Sequence, residues 1–197
     1  MTEARTLGQS DWLLQASRRV DWRFLLPDPN LGRVAYVGPA RLSLLESLPL
    51  FCMALTVIES AWSQNDPQTL FDVVVVSAAS DESLQQGAAL VRPGGFLYVE
   101  AHRQGRRFPA SYVSAVQKQG FAQVETHWHW PTFETCAEMI PLNDGAALAH
   151  ALRRHRSSLA ARLKSAFGLI LLRLGLLAHT VPCFSIVARR EVLRNSQ

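Results

Sequence analysis

Three groups of residues in this sequence have the types and spacing for chemistry. Glu100 and His102 stand two positions apart in FLYVEAHRQGRR, a carboxylate and an imidazole able to take up or pass on a proton near neutral pH. A histidine in a solvated loop is the plainer account of His102. Asp81 and Glu82 follow an apolar run, where acids can serve catalysis or simply favour the positive end of a helix, and the second reading is preferred. His127 and His129 alternate with Trp128 and Trp130, so in a strand both imidazoles share one face and both indoles the other. A His-x-His pair needs a third ligand to hold a metal, and no spacing supplies one, so no metal is expected. The aromatic face either packs in the core or lines an acceptor pocket. Cys52, Cys136 and Cys183 are far apart and lack any CxxC spacing, which reads as small buried apolar residues in a reducing compartment.

Such groups need elements to carry them, and Phe71 to Glu100 supplies the central unit. Asp72 to Val76 is a near-continuous valine run, too short for a helix and without alternation, as expected of a strand covered on both faces. Asp81 to Val91 has helical spacing, with Leu84, Ala88 and Val91 on one face. Pro93, Gly94 and Gly95 end the helix, and Phe96 to Val99 forms the next strand. Upstream, Met1 to Ser10 is polar and expected to be loose. Asp11 caps a short helix with Trp12, Leu13, Ala16 and Val20 on its apolar face. After the turn residues of PDPNLG, Val34 to Val37 is a strand, Ala40 to Phe51 a short helix and Ala54 to Ile58 a second strand.

With 197 residues and 48% apolar content, the chain can bury one substantial core. The net charge of +4 is concentrated between Arg153 and Lys164 and between Arg189 and Arg194, so it describes two segments and not the whole surface. No nucleic-acid motif is present, and no nucleic-acid partner is expected. The first residues lack the apolar core of a secretion signal, so a cytoplasmic location is expected.

The strand ends of this α/β pattern resemble the class I S-adenosylmethionine-dependent methyltransferases. In that family a first strand ends in a glycine-rich loop, and an acid at the end of the second strand holds the cofactor's ribose hydroxyls. Here VAYVGPA stands for the loop and VIES for the acid, Glu59 lying twenty-one positions after Gly38. FDVVVVSAAS is similar to the family's fourth strand and LVRPGGFLYVE to its fifth. Tyr112 to Gly120 resembles the helix before strand six, Phe121 to Trp130 that strand, and Phe184 to Arg189 the closing one. The resemblance implies a mainly parallel Rossmann-like sheet and S-adenosylmethionine as cofactor. It also implies cofactor contacts at Val37, Gly38, Pro39, Ala40, Glu59, Ser77 and Ala78, with Glu100 and His102 at the catalytic rim.

The pattern is degenerate. Tyr36 occupies the loop's usual acidic position, Gly38 alone remains of its glycines, and Pro39 offers no amide donor. Only twelve positions separate Glu59 from Phe71, which leaves no room for the family's third strand with its helix.

Roughly fifty residues intervene between the last two strands, where the family has a hairpin. Thr132 to Pro141 is expected to form a short element, Ala146 to Arg156 a helix, and Ser157 to His179 a long helix that is apolar nearly all round in its second half. The organisation read from sequence is a lead-in at 1–31, an α/β core at 32–130, a helical insertion at 131–181, and a last strand with a basic tail at 182–197. The leading function is methyl transfer in biosynthesis to a small-molecule, peptide or lipid-like acceptor held under the insertion. The alternative is a non-catalytic scaffold that recruits a protein partner, a second copy or the inner membrane's surface through residues 157–179.

Overall fold

The computed structural model describes residues 2–58, 70–103, 108–154 and 159–192, without the side chains of 2–10 and 161. Its centre is a seven-stranded sheet in the order β2-β1-β3-β4-β7-β5-β6. Strands β1 (Arg33–Val37), β2 (Ala54–Ile58), β3 (Phe71–Val76) and β4 (Val91–His102) are mutually parallel. Strand β7 (Cys183–Arg190) runs antiparallel between β4 and β5 (Phe121–Trp130), and β6 (Glu138–Pro141) pairs antiparallel with β5 at the edge. This is an α/β sheet as expected from the sequence, parallel from β2 to β4 and antiparallel from β4 through β7 and β5 to β6. Among the described residues β2 is the opposite edge; the shortened connection expected at 59–70 lies almost wholly outside them.

Two apolar layers cover the sheet. On one face, α2 (Leu42–Ser47) and the Val20, Trp22 and Leu26 side chains that follow α1 (Thr2–Arg19) pack with Val34, Tyr36, Val73, Val75 and Tyr98, and α1 packs on α2. On the other, α3 (Asp81–Leu90) and α4 (Pro109–Lys118) pack with Val74, Val76, Leu97 and Val99, and α5 (Gly145–Arg154) and α6 (Leu159–Arg173) extend that layer over β5 and β6. The valines of β3 are buried on both faces, which is why they need no alternation.

Several boundaries differ from expectation for identifiable reasons. Helix α1 begins at Thr2, so the first residues are not a loose lead and Asp11 lies inside the helix; Trp12 and Leu13 are exposed, whereas Ala16 and Val20 are buried. Strand β4 starts at Val91 and runs twelve residues, because Val91 already pairs with Phe71; Arg92 to Gly95 then bulge out, with Gly94 at φ +75°, before Phe96 rejoins opposite Val73. The long insertion helix stops at Arg173. Gly175 adopts φ +71°, and the Leu176 and Gly175 amides donate to the Leu171 and Leu172 carbonyls, a paired C-terminal cap that only a left-handed residue permits.

Helix α3 lies close against the sheet at Gly87, where an added Cβ would sit 2.5 Å from Val76 Cγ2. Gly87→Ala should therefore destabilise the protein by about 1–3 kcal/mol through overpacking, outweighing the gain of about 1 kcal/mol in helix propensity. Urea unfolding midpoints of the two proteins check the sign.

Candidate functional site

The carboxyl ends of β1 and β3 open onto a crevice of about 450 Å³. Val37, Gly38, Pro39 and Ala40 form one wall, Ile58 and Ala78 contribute at the strand ends, and Ser80, Glu82 and Gln86 of the α3 start form the other. Backbone geometry builds this wall. Gly38 has φ +117°, and a Cβ there would collide with the Ser77 carbonyl oxygen, so only glycine lets the loop lie on the end of β3. Ala78 is held in the left-handed region at φ 53°, a conformation that costs about 1–3 kcal/mol in a non-glycine residue and tends to mark functional loops.

Beneath the loop, Tyr36 supplies the hydrogen bonds that hold it. Its buried hydroxyl lies 2.6 Å from the Pro39 carbonyl and 2.7 Å from Ser77 Oγ, and accepts from the Arg41 amide at 3.1 Å. Ser77 Oγ is in turn 3.0 Å from the Pro39 carbonyl. Two hydroxyls thus satisfy the loop internally and hold its shape without a ligand. Of the cofactor positions read from sequence, Val37, Gly38, Pro39, Ala40 and Ala78 meet in the crevice, and Ser77 sits under it as a support. Glu59 lies outside the described residues, one position beyond Ile58.

Glu100 and His102 belong to the other face. Alternation along β4 sends Val99 and Ala101 toward α3, and Tyr98, Glu100 and His102 toward α1. There Arg19, at the end of α1, donates Nη1 to Glu100 Oε1 at 2.6 Å and Nη2 to Oε2 at 2.8 Å, both side chains being almost fully buried. Tyr98 donates its hydroxyl to the same carboxylate at 3.1 Å and stacks on Trp22 at 3.9 Å. Burial opposes the charge on Arg19, yet its hydrogen bonds to Glu100 and that carboxylate's charge raise its pKa above the ordinary arginine value. Burial and the same carboxylate push the Tyr98 phenol well up. Phe133 closes the cluster, fully buried, with the Arg19 guanidinium 5.8 Å from its ring centre and the His102 ring edge-on at 5.2 Å.

His127 and His129 share this face, as the alternation predicts, while Trp128 joins the opposite layer. His129 Nε2 is 2.8 Å from Ser185 Oγ. Burial first, then the charges of Arg19 and His127, lower its pKa to about 3, so it is neutral. No group of three metal-ligating side chains occurs among the described residues. Cys183 is buried and its thiol is pushed up to about 11, chiefly by burial, which makes it inert; Cys52 and Cys136 are half-buried and free.

A second cavity, of about 560 Å³, lies between the indoles of Trp128 and Trp130 and helices α5 and α6. Its lining is apolar apart from Lys164, Ser165 and Thr180. Three strand intervals, about 14 Å, separate β5 from β3. The insertion therefore covers β5 and β6, and none of its described residues lines the crevice at Gly38. What sequence reading missed is Arg19. The signal was Glu100 itself, a carboxylate in an apolar strand that must find a buried cation, although spacing does not say which one.

No protein-family profile and no curated protein matches the chain. Among solved structures it is similar to phosphoethanolamine N-methyltransferase 2 of Haemonchus contortus in complex with S-adenosyl-L-methionine, at 10% identity and TM-score 0.48, over 87% of this chain and 51% of that one. The chain thus spans about half the length of that enzyme. It is also similar to an S-adenosylmethionine-dependent methyltransferase of Thermotoga maritima, at 11% identity and TM-score 0.47, over 94% and 96% of the two chains. An O-methyltransferase dependent on the same cofactor, from the same organism, aligns at 10% identity and TM-score 0.46, over 91% and 66%.

Two outcomes follow from the buried cluster. Arg19→Met should cost about 3–5 kcal/mol by stranding the Glu100 carboxylate, and the double variant Arg19→Met with Glu100→Leu should recover most of it; denaturant titration reads both. For His129, the unfolded imidazole titrates near its ordinary 6.5 and the folded one near 3. Between these values the unfolded chain binds a proton that the folded chain refuses, so stability falls as pH drops, by up to about 1.4 kcal/mol per pH unit. His129→Gln should flatten the difference between urea midpoints at about pH 7 and about pH 4.5.

Proposed function

We propose that this protein binds S-adenosylmethionine in the crevice beside Gly38 and transfers its methyl group to a small-molecule, peptide or lipid-like acceptor. The observation that carries this reading is the open crevice itself, with a glycine-dependent loop on one side and Ile58, the residue before Glu59, at its end. In open α/β sheets the carboxyl ends of the strands are where backbone polar groups remain available to a ligand.

In this reading the loop from Val37 to Ala40 and Ile58 contact the adenosine, the half-buried carboxamide of Gln86 is within the wall that would face it, and Glu59 accepts from the ribose hydroxyls. The cofactor supplies an activated methyl group on a positively charged sulfur. What the chain adds is orientation and exclusion of water, with proton removal where the acceptor requires it. His102, the base read from the sequence, sits against Phe133 on the α1 face of β4 and does not line the crevice, so it is not assigned that proton. Glu100 has both oxygens engaged by Arg19, so its role here is to fix α1 against the sheet. That same pairing favours a second reading, a non-catalytic scaffold that binds the ligand without transferring its methyl group.

Calorimetric titration with S-adenosylhomocysteine separates the possibilities. Binding is expected, and Ala40→Trp, a change at an exposed wall residue, should weaken it at least about tenfold while leaving the melting curve unchanged. Binding indifferent to both Ala40→Trp and Glu59→Ala would remove the site. Binding that survives with no turnover on any acceptor class would select the scaffold.

A further inference from the structure

Helix α6 carries a large apolar face that is exposed. Its small residues Ser165 and Gly168 are the buried ones, and an added Cβ on Gly168 would sit 2.9 Å from Leu152 of α5. Five large residues point away: Leu159, Leu163, Phe167, Ile170 and, one position past the helix, Leu174 are between 53% and 74% exposed, whereas Leu171 and Leu172 are half-buried against the core. At about 100° per residue these five fall within one arc of about 80°. On the same wheel Arg162 and Arg173 lie about 80–100° to one side of the arc's midline and Lys164 about 100° to the other. All three cations are exposed. From Gly145 to Arg190 the sequence contains no aspartate or glutamate.

We infer that α6 lies in the plane of an anionic membrane surface, with its leucine and phenylalanine arc in the acyl boundary and Arg162, Lys164 and Arg173 at the headgroups. An apolar arc bordered on both sides by long cationic side chains matches such an interface, because the aliphatic stems follow the apolar phase while the charges stay with lipid phosphate. A second copy of the chain suits the face poorly. Two α6 helices packed on each other would bring cations together with no acid on either helix to pair them. A nucleic acid would place its phosphates against leucine. The helix is also too short to span: among the described residues no helix is long and apolar enough to cross a membrane. The inference does not depend on cofactor binding at the crevice.

Co-sedimentation of the full chain with phosphatidylcholine vesicles, with and without phosphatidylglycerol, tests it. Binding is expected with the anionic vesicles and should weaken with added salt. Leu163→Ser with Ile170→Ser should lower the partition coefficient at least about tenfold. Arg162→Gln and Lys164→Gln should each lower it about fivefold on anionic vesicles alone. Circular dichroism and melting curves establish that these surface variants fold. Failure to bind either vesicle, or binding that none of the variants changes, overturns the inference. So does a dimer in sedimentation velocity that Leu163→Ser with Ile170→Ser abolishes, in the absence of vesicle binding, since that result assigns the face to a second copy.

Discussion

The bidentate contact between Arg19 and Glu100 is the constraint on which the α1 face depends. Removing two charges from water costs several kcal/mol per ion, and their attraction offsets that only when the geometry is good and the remaining lone pairs are satisfied. Both conditions hold: each carboxylate oxygen receives its own guanidinium nitrogen, and Tyr98 adds a third donor. Such a pair adds little stability over an apolar substitute, but it admits few alternative arrangements. The end of α1 has one seat on the sheet, and Val20 and Trp22, immediately after it, are delivered into the core by that seating.

The two faces of the sheet consequently differ in kind. The α1 face is closed at its carboxyl rim by an ion pair, an aromatic stack and Phe133. The α3 face stays open beside Gly38, where small residues and a strained backbone leave a gap that no described side chain fills. Tyr36 connects the two: it is buried in the α1 layer, and its hydroxyl holds the loop that walls the crevice. A loop shaped by its own protein in this way is preorganised for a ligand, and it loses the flexibility that a run of glycines would have allowed.

Much of this was legible before the fold was known, because the signals were local. The valine run of β3, the Asp81 helix start and the alternation of His127 to Trp130 each follow from a spacing rule that uses a few adjacent residues. The extent of β4 was not legible, since its first pairing, Val91 with Phe71, depends on a neighbour twenty residues away in the chain. Helix α1 was misjudged at its start for a related reason: polar residues can extend a helix whose apolar turns are anchored further on. Gly175 did carry a legible stop signal, but the leucines on either side of it outweighed that signal in a reading based on hydrophobic spacing. The partner of Glu100 was the hardest case, with eighty-one positions between the two charges.

The place of β7 in the sheet governs how the molecule can be made. This strand, translated after the other six, is the one that joins the β2-β1-β3-β4 half to the β5-β6 half. Until Cys183 to Arg190 leaves the ribosome, the nascent chain therefore carries two incomplete sheets, each with a long unpaired edge at β4 or β5. Those edges are ready to pair wrongly with other chains. Completion of the fold is a late, non-local event, and synthesis interrupted shortly before β7 leaves a sticky product and not a smaller native domain.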